Sequence, residues 1–435
     1  MPPAKAVALK PIPKSSRRLK ITPRNITLTI FLTSLLALAL AIIFSSRASL
    51  TITSSRLLHL SAHLLLRRPL SSPTTTATMS SSSTSSYSKE LLVAQLAVQR
   101  ASLLTRRVFL DTAKGTVSKS DASPVTIGDF GAQALIIAAL KHNFPADEIV
   151  AEEEASKLRD DAALADRIWE LVRSTRLDDD KSENEVLGGP VESKEDMIRL
   201  IDEGNSKGGR GGRIWAIDPI DGTKGFLRGG QYAVCLALMV DGDVKVGVLG
   251  CPNLPVDDAA PLSADAGAGS DEGRGVIFSA VKGEGATSRP LTRGGLAEGK
   301  AIAMKPVTEL SAASFCESVE AGHSDQGNAA KIAQGLGITK PSVRMDSQAK
   351  YGSIARGAGD IYLRLPVSKT YQEKIWDHAA GDLIVREAGG EVTDVNGRRL
   401  DFGHGRTLAE NKGVIAAPKA VHGQVLKVVQ EVLGV

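Results

Sequence analysis

One acidic turn constrains the fold of this chain more than any other feature. Residues 215–226 read WAIDPIDGTKGF, so Asp218 and Asp221 stand three residues apart with a proline between them. Proline fixes its own φ and keeps the preceding residue out of the helical region, and Gly222 lets the chain bend around a small object. Apolar and strand-like segments flank the turn, a setting that a solvated turn seldom occupies. Such a turn needs a cation, and its hard oxygen donors favour magnesium, calcium or manganese.

The composition is that of a globular protein whose charge is unevenly distributed. With 435 residues, 42% of them hydrophobic and 23% charged, the chain can form two or three domains. Residues 1–89 carry twelve Lys and Arg but no Asp or Glu, so the remainder has 41 basic and 49 acidic residues, a net charge of −8. The negative net charge of this remainder argues against nucleic acid as a partner, because nonspecific binding of nucleic acid needs clustered positive charge. It still allows a small phosphorylated ligand.

The cysteines indicate a reducing compartment. Cys235, Cys251 and Cys316 lie far apart and show no CxxC spacing. This pattern predicts neither a zinc site nor a disulfide framework.

Residues 1–87 form a basic leader that ends in a Ser/Thr-rich linker, and three interpretations of it stay open. The hydrophobic segment 26–44 lies within 22 uncharged residues bracketed by Arg24 and Arg47, long enough for a membrane-spanning helix with a cytoplasmic N-terminus. The acid-free, Ser- and Arg-bearing composition also resembles a mitochondrial presequence. Alternatively, Met79 is the true start of the protein. We expect the catalytic part to face the cytoplasm, with membrane contact through 26–44 on the first interpretation.

The chain from residue 88 onward predicts an α/β protein in two halves, 88–298 and 299–435. An amphipathic helix opens the first half, and a second helix follows Asp129. The strand-like segments 232–240 and 244–250 are joined by Asp-Gly-Asp, a hairpin signature. In the second half, short strands and helices alternate, which suggests a further α/β layer.

Three further acidic positions can close a metal site around the Asp218 turn. The acidic run 152–154 follows an apolar pair, as at the end of a strand, and Asp129 and Asp377 each stand at the start of a predicted helix. Each position also has a simpler interpretation as a helix cap or an acidic helix N-terminus. Taken with Asp218 and Asp221, they are the inventory of a multi-metal phosphatase, in which carboxylates from different elements converge on a phosphate.

These motifs resemble the inositol monophosphatase superfamily of lithium-sensitive, magnesium-dependent phosphatases. The resemblance rests on DPIDGT at 218–223, the Glu pair at 152–153 and WDHAAG at 376–381. Further motifs make it similar to the 3′(2′),5′-bisphosphate nucleotidases: DGTKGFLR at 221–228, VCLAL at 234–238, GCPNL at 250–254, DSQAKY at 346–351, YLRLP at 362–366 and YQEKIWDH at 371–378. The resemblance covers residues 88–435. One departure is Ala151, which stands where such enzymes usually have Gly.

The resemblance implies a fold and a metal site. The fold is a layered αβαβα sandwich of two halves, with the metal site where the halves meet. One magnesium ion would be held by Glu152, Asp218 and the backbone carbonyl of Ile220. A second would be held by Asp218, Asp221 and Asp377, with Asp218 bridging the two.

The resemblance also implies how the nucleophile is activated. Asp129 and Thr223 would polarise the attacking water, and Asp129 could act through a third magnesium ion. No Cys or His nucleophile stands in a suitable motif, so we expect direct attack by water. A small monovalent ion such as lithium could replace one magnesium ion.

The implied substrate is a phosphorylated nucleotide. The residues expected to bind it are Thr223, His323, Ser324, Ser347, Lys350, Arg364 and Asp377. Lys350 and Arg364 suit the 5′-phosphate that is retained, the arginine through its planar fork of donors. The reaction implied is adenosine 3′,5′-bisphosphate to AMP, and 3′-phosphoadenylyl sulfate to adenylyl sulfate, with a role in sulfate assimilation and nucleotide detoxification.

Two alternatives remain open at this point. The substrate could be an inositol phosphate, since the superfamily includes inositol monophosphatases and polyphosphate 1-phosphatases. The protein could instead be an inactive sensor that binds a nucleotide or a metal. We expect a monomer in either case.

Overall fold

The computed structural model describes residues 86–113, 124–263, 272–320, 322, 324–368 and 370–435, all within one unit, Ser81–Val435. The hydrophobic segment 26–44 and Met79 lie outside the described residues, so the interpretations of the leader stay predictions. No helix in the described part of the chain combines the length and the apolar character needed to cross a membrane.

Helices occur in both halves of the described chain. The α-helices are α1 (Ser88–Ala113), α2 (Pro124–Asn143), α3 (Ser156–Asp160), α4 (Ala162–Ser174), α5 (Lys194–Asp202), α6 (Thr223–Arg228), α7 (Gln326–Gly335), α8 (Ala349–Ala355), α9 (Ala379–Glu387) and α10 (Lys419–Leu433). A π-helical turn spans Lys181–Val186, and 3₁₀ turns span Leu310–Ala312 and Ile375–Asp377. The predicted first helix is confirmed as α1, whose residues Val93, Leu96, Ala97, Ala101 and Leu104 are buried at helical spacing.

The strands form two sheets. They are β1 (Glu148–Ala151), β2 (Arg213–Asp221), β3 (Ala233–Val240), β4 (Asp243–Pro255), β5 (Arg274–Val281), β6 (Ala286–Pro290), β7 (Lys300–Ile302), β8 (Phe315–Glu317), β9 (Val343–Arg344), β10 (Ile361–Arg364), β11 (Gly390–Thr393) and β12 (Val414–Pro418). The larger sheet runs β1 to β7 in chain order, with β1 parallel to β2 and the other pairs antiparallel. The smaller sheet has the order β11-β12-β10-β8-β9.

The strand period of two builds a layered core. Along β2, Trp215 and Ile217 pack into the cluster shared with α1 and α2, while Ile214 and Ala216 pack into the cluster shared with α8 and α9. Along β12, alternate residues face that second cluster and a third one shared with α7 and α10. The layers are therefore helix, sheet, helix, sheet, helix. The predicted layered α/β architecture is confirmed.

The hairpin predicted from Asp-Gly-Asp is confirmed between β3 and β4. Asp241 has a φ of 53° and Gly242 a φ of 79°, so both linking residues adopt the left-handed conformation. Two consecutive left-handed residues match the twist of antiparallel strands, and Asp and Gly tolerate that conformation well.

The helix-cap interpretations of the acidic positions are wrong. Helix α2 begins at Pro124, five residues before Asp129, because the preceding apolar residues continue its buried face. Helix α3 begins at Ser156, with no acidic residue in its first turn. Asp377 ends a 3₁₀ turn, and His378 stands at the N-cap of α9. The three acidic motifs are thus left for another role.

Replacing Gly381 with Ala should destabilise the fold. A Cβ on this residue of α9 would lie 2.3 Å from Tyr351 of α8, at the centre of the second cluster. We expect Gly381→Ala to lower the free energy of unfolding by about 1–3 kcal/mol, the usual cost of overpacking. Gly423→Ala in α10 is the matched control, because a Cβ there meets nothing within 4 Å and Ala favours a helix by about 1 kcal/mol. Urea unfolding of both variants checks this, and equal stabilities would contradict the close packing of α8 against α9.

Candidate active site

Glu152 and Asp218 meet because the strands that lead to them are parallel neighbours. In the register of β1 and β2, Ala151 lies opposite Ile217, so the next residue on each chain emerges at the same edge of the sheet. The charge of Glu152 accordingly adds to the burial that raises the pKa of Asp218. Parallel topology thus joins two motifs that are 66 positions apart in the printed sequence.

The turn after Asp218 leaves the regular ladder. β2 pairs with β3 up to Asp218 and again at Asp221, with an irregular register between them. Pro219 has no N–H to donate to β3, which accounts for this break. Gly222 then adopts a left-handed φ of 91°, and α6 begins directly after it at Thr223. The end of β2 and the start of α6 therefore both lie at the acidic turn.

Asp129 approaches this turn from the buried face of α2. One helical turn further on, Gln133 clamps the segment after β1: its Nε2 donates to the carbonyl of Glu153 at 2.8 Å, and its Oε1 accepts the N–H of Glu153 at 3.0 Å. Because residues four apart share a helix face, Asp129 lies beside the same segment. The charges of Glu152 and Glu153 accordingly add to the shift of its pKa.

Hydrogen bonds of Gln348 hold the segment that carries Asp377 next to the acidic turn. The Gln348 Nε2 donates to the carbonyl of Trp376 at 2.7 Å, and its Oε1 accepts the N–H of Gly381 at 3.0 Å. Its backbone N–H donates to Oδ2 of Asp221 at 2.5 Å. One residue therefore fixes the segment around Asp377 to the acidic turn, through its side chain on one segment and its backbone N–H on the other.

Crowding of carboxylates in a buried place shifts their pKa values upward. Burial raises the pKa of Asp218 well above its usual range, and the charges of Glu152, Asp221 and Asp377 raise it further. Burial likewise raises the pKa of Asp129 and of Asp377 well above the usual range, and that of Glu152 to about 7 even though part of its side chain stays exposed. The protein alone leaves this negative charge poorly compensated.

The donor set fits a hard divalent cation. Oδ1 of Asp129 and Oδ1 of Asp218 are buried and, within the described residues, have no hydrogen-bond partner. Buried carboxylate oxygens without partners are costly unless a cation or a proton meets them. Several such oxygens around one point are the ligands that magnesium prefers.

A more compact group of metal-type donors lies beside this one. Glu373, Asp377 and His378 each offer a donor atom within 4.8 Å of the others, and the three carboxylates predicted to hold the second ion are spaced more widely. Arg364 Nε lies 2.7 Å from Oε2 of Glu373, and His378 Nε2 lies 3.2 Å from the same oxygen. Since Glu373 already faces a cation, we interpret this trio as an ion-pair network and not as a metal site.

Lys350 and Arg364 line the same cavity as the carboxylates and lie close to them. Lys350 is buried on α8 with its Nζ 5.3 Å from the centre of the Tyr362 ring, and burial lowers its pKa to about 8, opposed by the charge of Asp221. Arg364 ends β10, and its Nη2 lies 3.8 Å from Oδ2 of Asp377. The cavity therefore presents both carboxylates and cations to a ligand.

The predicted serines occupy different places. Ser347 has a left-handed φ of 68° and touches the acidic turn, since a Cβ on Gly222 would lie 2.9 Å from its own Cβ. Ser324 is buried, and its Oγ accepts the N–H of Leu365 at 3.0 Å, just beyond β10. His323 lies outside the described residues.

A cavity of about 300 Å³ collects most of the predicted residues. Those that line it are Glu152, Asp218, Ile220, Asp221, Thr223, Ser347, Lys350, Arg364 and Asp377. Asp129 and Ser324 do not line it, although Asp129 lies behind the carboxylates. A volume of this order holds a small ligand.

Motif reasoning missed several residues around the cavity. Glu373 and His378 stand within a motif that was quoted only for the resemblance. Burial alone would raise the pKa of Glu373, but the hydrogen bond from His378 and the charge of Arg364 bring it down to about 2. Arg228 forms ion pairs with Glu320 and Asp346. The sequence signal for Glu373 was an acidic residue two positions before the apolar pair Ile375-Trp376. The spacing of residues in the sequence does not identify the partner of that carboxylate.

Comparisons with known proteins identify the family of this chain. Residues 87–433 match the model of the inositol monophosphatase family. The chain is 67% identical over 350 residues to a 3′(2′),5′-bisphosphate nucleotidase of Emericella nidulans, an alignment that covers 80% of this chain and 99% of that protein. It is 49% identical to a 3′(2′),5′-bisphosphate nucleotidase of Schizosaccharomyces pombe, with 79% and 95% covered.

Among solved structures, Mycobacterium tuberculosis SuhB is 19% identical, with 80% of this chain and 97% of that chain covered and a TM-score of 0.47. The match to the family model spans nearly all of the described residues, and the identity to the two nucleotidases extends over almost their full length. The chain therefore belongs to the inositol monophosphatase family, within which it groups with the 3′(2′),5′-bisphosphate nucleotidases.

Proposed function

We propose that this protein is a magnesium-dependent phosphatase that removes the 3′-phosphate of adenosine 3′,5′-bisphosphate, and that of 3′-phosphoadenylyl sulfate. The observation that supports it is that one cavity is lined both by carboxylates, here called its carboxylate side, and by Lys350 and Arg364, here called its basic side. A substrate with two phosphates can place one phosphate near the carboxylates, through a bound metal, and the other near the two cations. Similarity to the two nucleotidases supports the choice of nucleotide over inositol phosphate.

The carboxylate side would hold the metal. Glu152, Asp218, the carbonyl of Ile220, Asp221 and Asp377 are the residues that would bind magnesium there. Magnesium bound there would lower the pKa of a water that it binds, and it would neutralise negative charge on the phosphate and on the leaving oxygen. Among these residues, Asp218 has a buried Oδ1 with no hydrogen-bond partner in the described part of the chain, and a bound cation would satisfy it.

Two residues beside the metal ligands would prepare the attacking water. Thr223 is exposed to the cavity at the first position of α6, where its hydroxyl can accept a hydrogen bond from water and donate one to a neighbouring carboxylate. Asp129 lies behind the carboxylates and is held there by the buried face of α2. A carboxylate in that place orients the threonine hydroxyl or the water by accepting a hydrogen bond.

The basic side would bind the phosphate that is retained. Arg364 offers a planar fork of donors for phosphate oxygens, and Lys350 offers a point charge. Lys350 is buried and lines the cavity together with Ser347, so it acts only on a ligand inside the cavity. Ser324 would support this side indirectly, by fixing the backbone that follows Arg364.

Phosphate release from the purified full chain tests the proposal. We expect magnesium-dependent release from adenosine 3′,5′-bisphosphate, with kcat/KM at least about tenfold above that for inositol 1,4-bisphosphate or inositol 1-phosphate, a difference of about 1.4 kcal/mol. Chelation of the metal should abolish release. A preference for inositol phosphates would overturn the substrate assignment, and no release from any of them would favour the sensor.

A further inference from the structure

Arg364 is held by a buried network that begins at Glu373. Glu373 lies between β10 and the 3₁₀ turn that carries Asp377, and only 7% of its surface is exposed. Its Oε2 is 2.7 Å from Nε of Arg364, and its backbone carbonyl accepts the N–H of Leu408 at 2.8 Å. The carboxylate is therefore fixed through its own backbone and lies on the Nε side of the guanidinium as an ion pair, without an aligned hydrogen bond. The terminal nitrogen Nη2 lies 3.8 Å from Oδ2 of Asp377.

The network continues away from the cavity into the core. His378 Nε2 lies 3.2 Å from the same oxygen of Glu373, and His378 Nδ1 lies 2.8 Å from the hydroxyl of Tyr351. A neutral imidazole donates through one nitrogen and accepts through the other, so this geometry lets Tyr351 donate to His378 and His378 donate to Glu373. Both ring-bearing residues are fully buried. The chain of contacts thus links α8, the start of α9 and the end of β10.

We propose that Glu373, supported by His378 and Tyr351, is a positioning residue that sets Arg364 in place for the phosphate retained by the substrate. This inference rests on the proposed function for the identity of the ligand. Arginine loses about 2 kcal/mol of side-chain entropy when it is fixed, and a network that fixes it beforehand removes that cost from binding.

A second carboxylate explains why positioning is needed. Nη2 of Arg364 lies only 3.8 Å from Oδ2 of Asp377, a residue assigned to the metal side. Without Glu373, the guanidinium would move to Asp377, because that is its nearest remaining anion. The guanidinium would then point away from the retained phosphate. Glu373 keeps the acidic and basic sides of the cavity apart.

Glu373→Gln tests the proposal through binding and kinetics. We expect the affinity for AMP, measured by calorimetry on the full chain, to fall about tenfold, the equivalent of about 1.4 kcal/mol. KM for adenosine 3′,5′-bisphosphate should rise by a similar factor, while kcat/KM for adenosine 3′-monophosphate, which has no 5′-phosphate, should change less than about twofold. Tyr351→Phe removes only the outermost hydroxyl and should give the same pattern at about two- to threefold.

The controls separate positioning from general damage. Asp382→Asn removes another buried carboxylate that is paired with an arginine, Arg386 at 3.0 Å, and should leave the ratio between the two substrates unchanged. Equal losses on both substrates in Glu373→Gln would show a merely structural role. Tighter AMP binding would show that Glu373 competes with the phosphate for Arg364. If the unaltered protein neither bound AMP nor released phosphate, the proposed function would be wrong. The positioning role of Glu373, which depends on that function, would then be wrong as well.

Discussion

Replacement of Asp218 by Asn should abolish activity and yet make the metal-free protein more stable. We expect kcat/KM to fall at least about a thousandfold, since losing the residue proposed to bridge both ions would forfeit about 4 kcal/mol of transition-state stabilisation. A raised pKa means that the ionised carboxyl costs folding free energy once the pH exceeds its ordinary range, and Asn mimics the neutral form. In the absence of metal at neutral pH, the variant should therefore unfold about 2 °C or more above the parent.

Thermal unfolding with and without magnesium measures both effects. In the parent, magnesium at about 100 times its Kd should add about 2.7 kcal/mol of stability, and Asp218→Asn should lose most of this gain. Asp394→Asn is the matched control, because Asp394 is equally buried but accepts backbone N–H groups from Asn396 at 2.9 Å and Arg398 at 2.8 Å. That change should cost about 1–3 kcal/mol of stability and spare kcat/KM.

Two outcomes would contradict the role of Asp218. A variant that retains activity within about tenfold of the parent would remove this residue from the metal site. A lower Tm in the metal-free state would show that its carboxylate is stabilised by contacts that the structure does not give it.

Replacement of Arg364 by Ala should change substrate preference more than any other single substitution. For adenosine 3′,5′-bisphosphate we expect kcat/KM to fall about 100-fold, because hydrogen bonds to a charged group contribute about 1.5–3 kcal/mol each. For adenosine 3′-monophosphate the loss should stay below about fivefold, since that substrate has no phosphate for the basic side. Steady-state kinetics on both nucleotides measure the ratio, and equal losses would remove Arg364 from the phosphate site.

A paired variant separates the lost contact from the carboxylate left behind. Removing Arg364 alone leaves Glu373 buried without its cation, which can cost about 3–5 kcal/mol by itself. Arg364→Ala combined with Glu373→Ala removes both charges. We expect the double variant to recover stability but to remain as poor with the bisphosphate. Recovery of activity would mean that the stranded carboxylate, and not the missing arginine, caused the loss.

The elements that could be predicted from the sequence are those that depend on the properties of neighbouring residues. The β3–β4 hairpin follows from Asp241 and Gly242, which tolerate a left-handed φ, and α1 follows from its apolar spacing. The acidic turn at Asp218 was recognised because proline and glycine act on their immediate neighbours. Helix boundaries were less predictable. Helix α2 begins before Asp129 because its buried face continues upstream, which a cap rule does not consider.

Partners across the fold needed the tertiary structure. Glu373 meets Arg364 and His378 only because β10 and the start of α9 pack together, and nothing in the spacing of these residues reports that contact. The same holds for Gln133, which clamps the segment after β1 from a different element.

By itself, the sequence determined the chemical types of the site: the carboxylates at Asp218, Asp221 and their companions, and the cations at Lys350 and Arg364. Those types depend on side-chain identity and local backbone preference. Only the tertiary structure decided which carboxylates crowd together and which cation each one faces. These depend on strand direction and helix packing, which bring residues together across long separations in the chain.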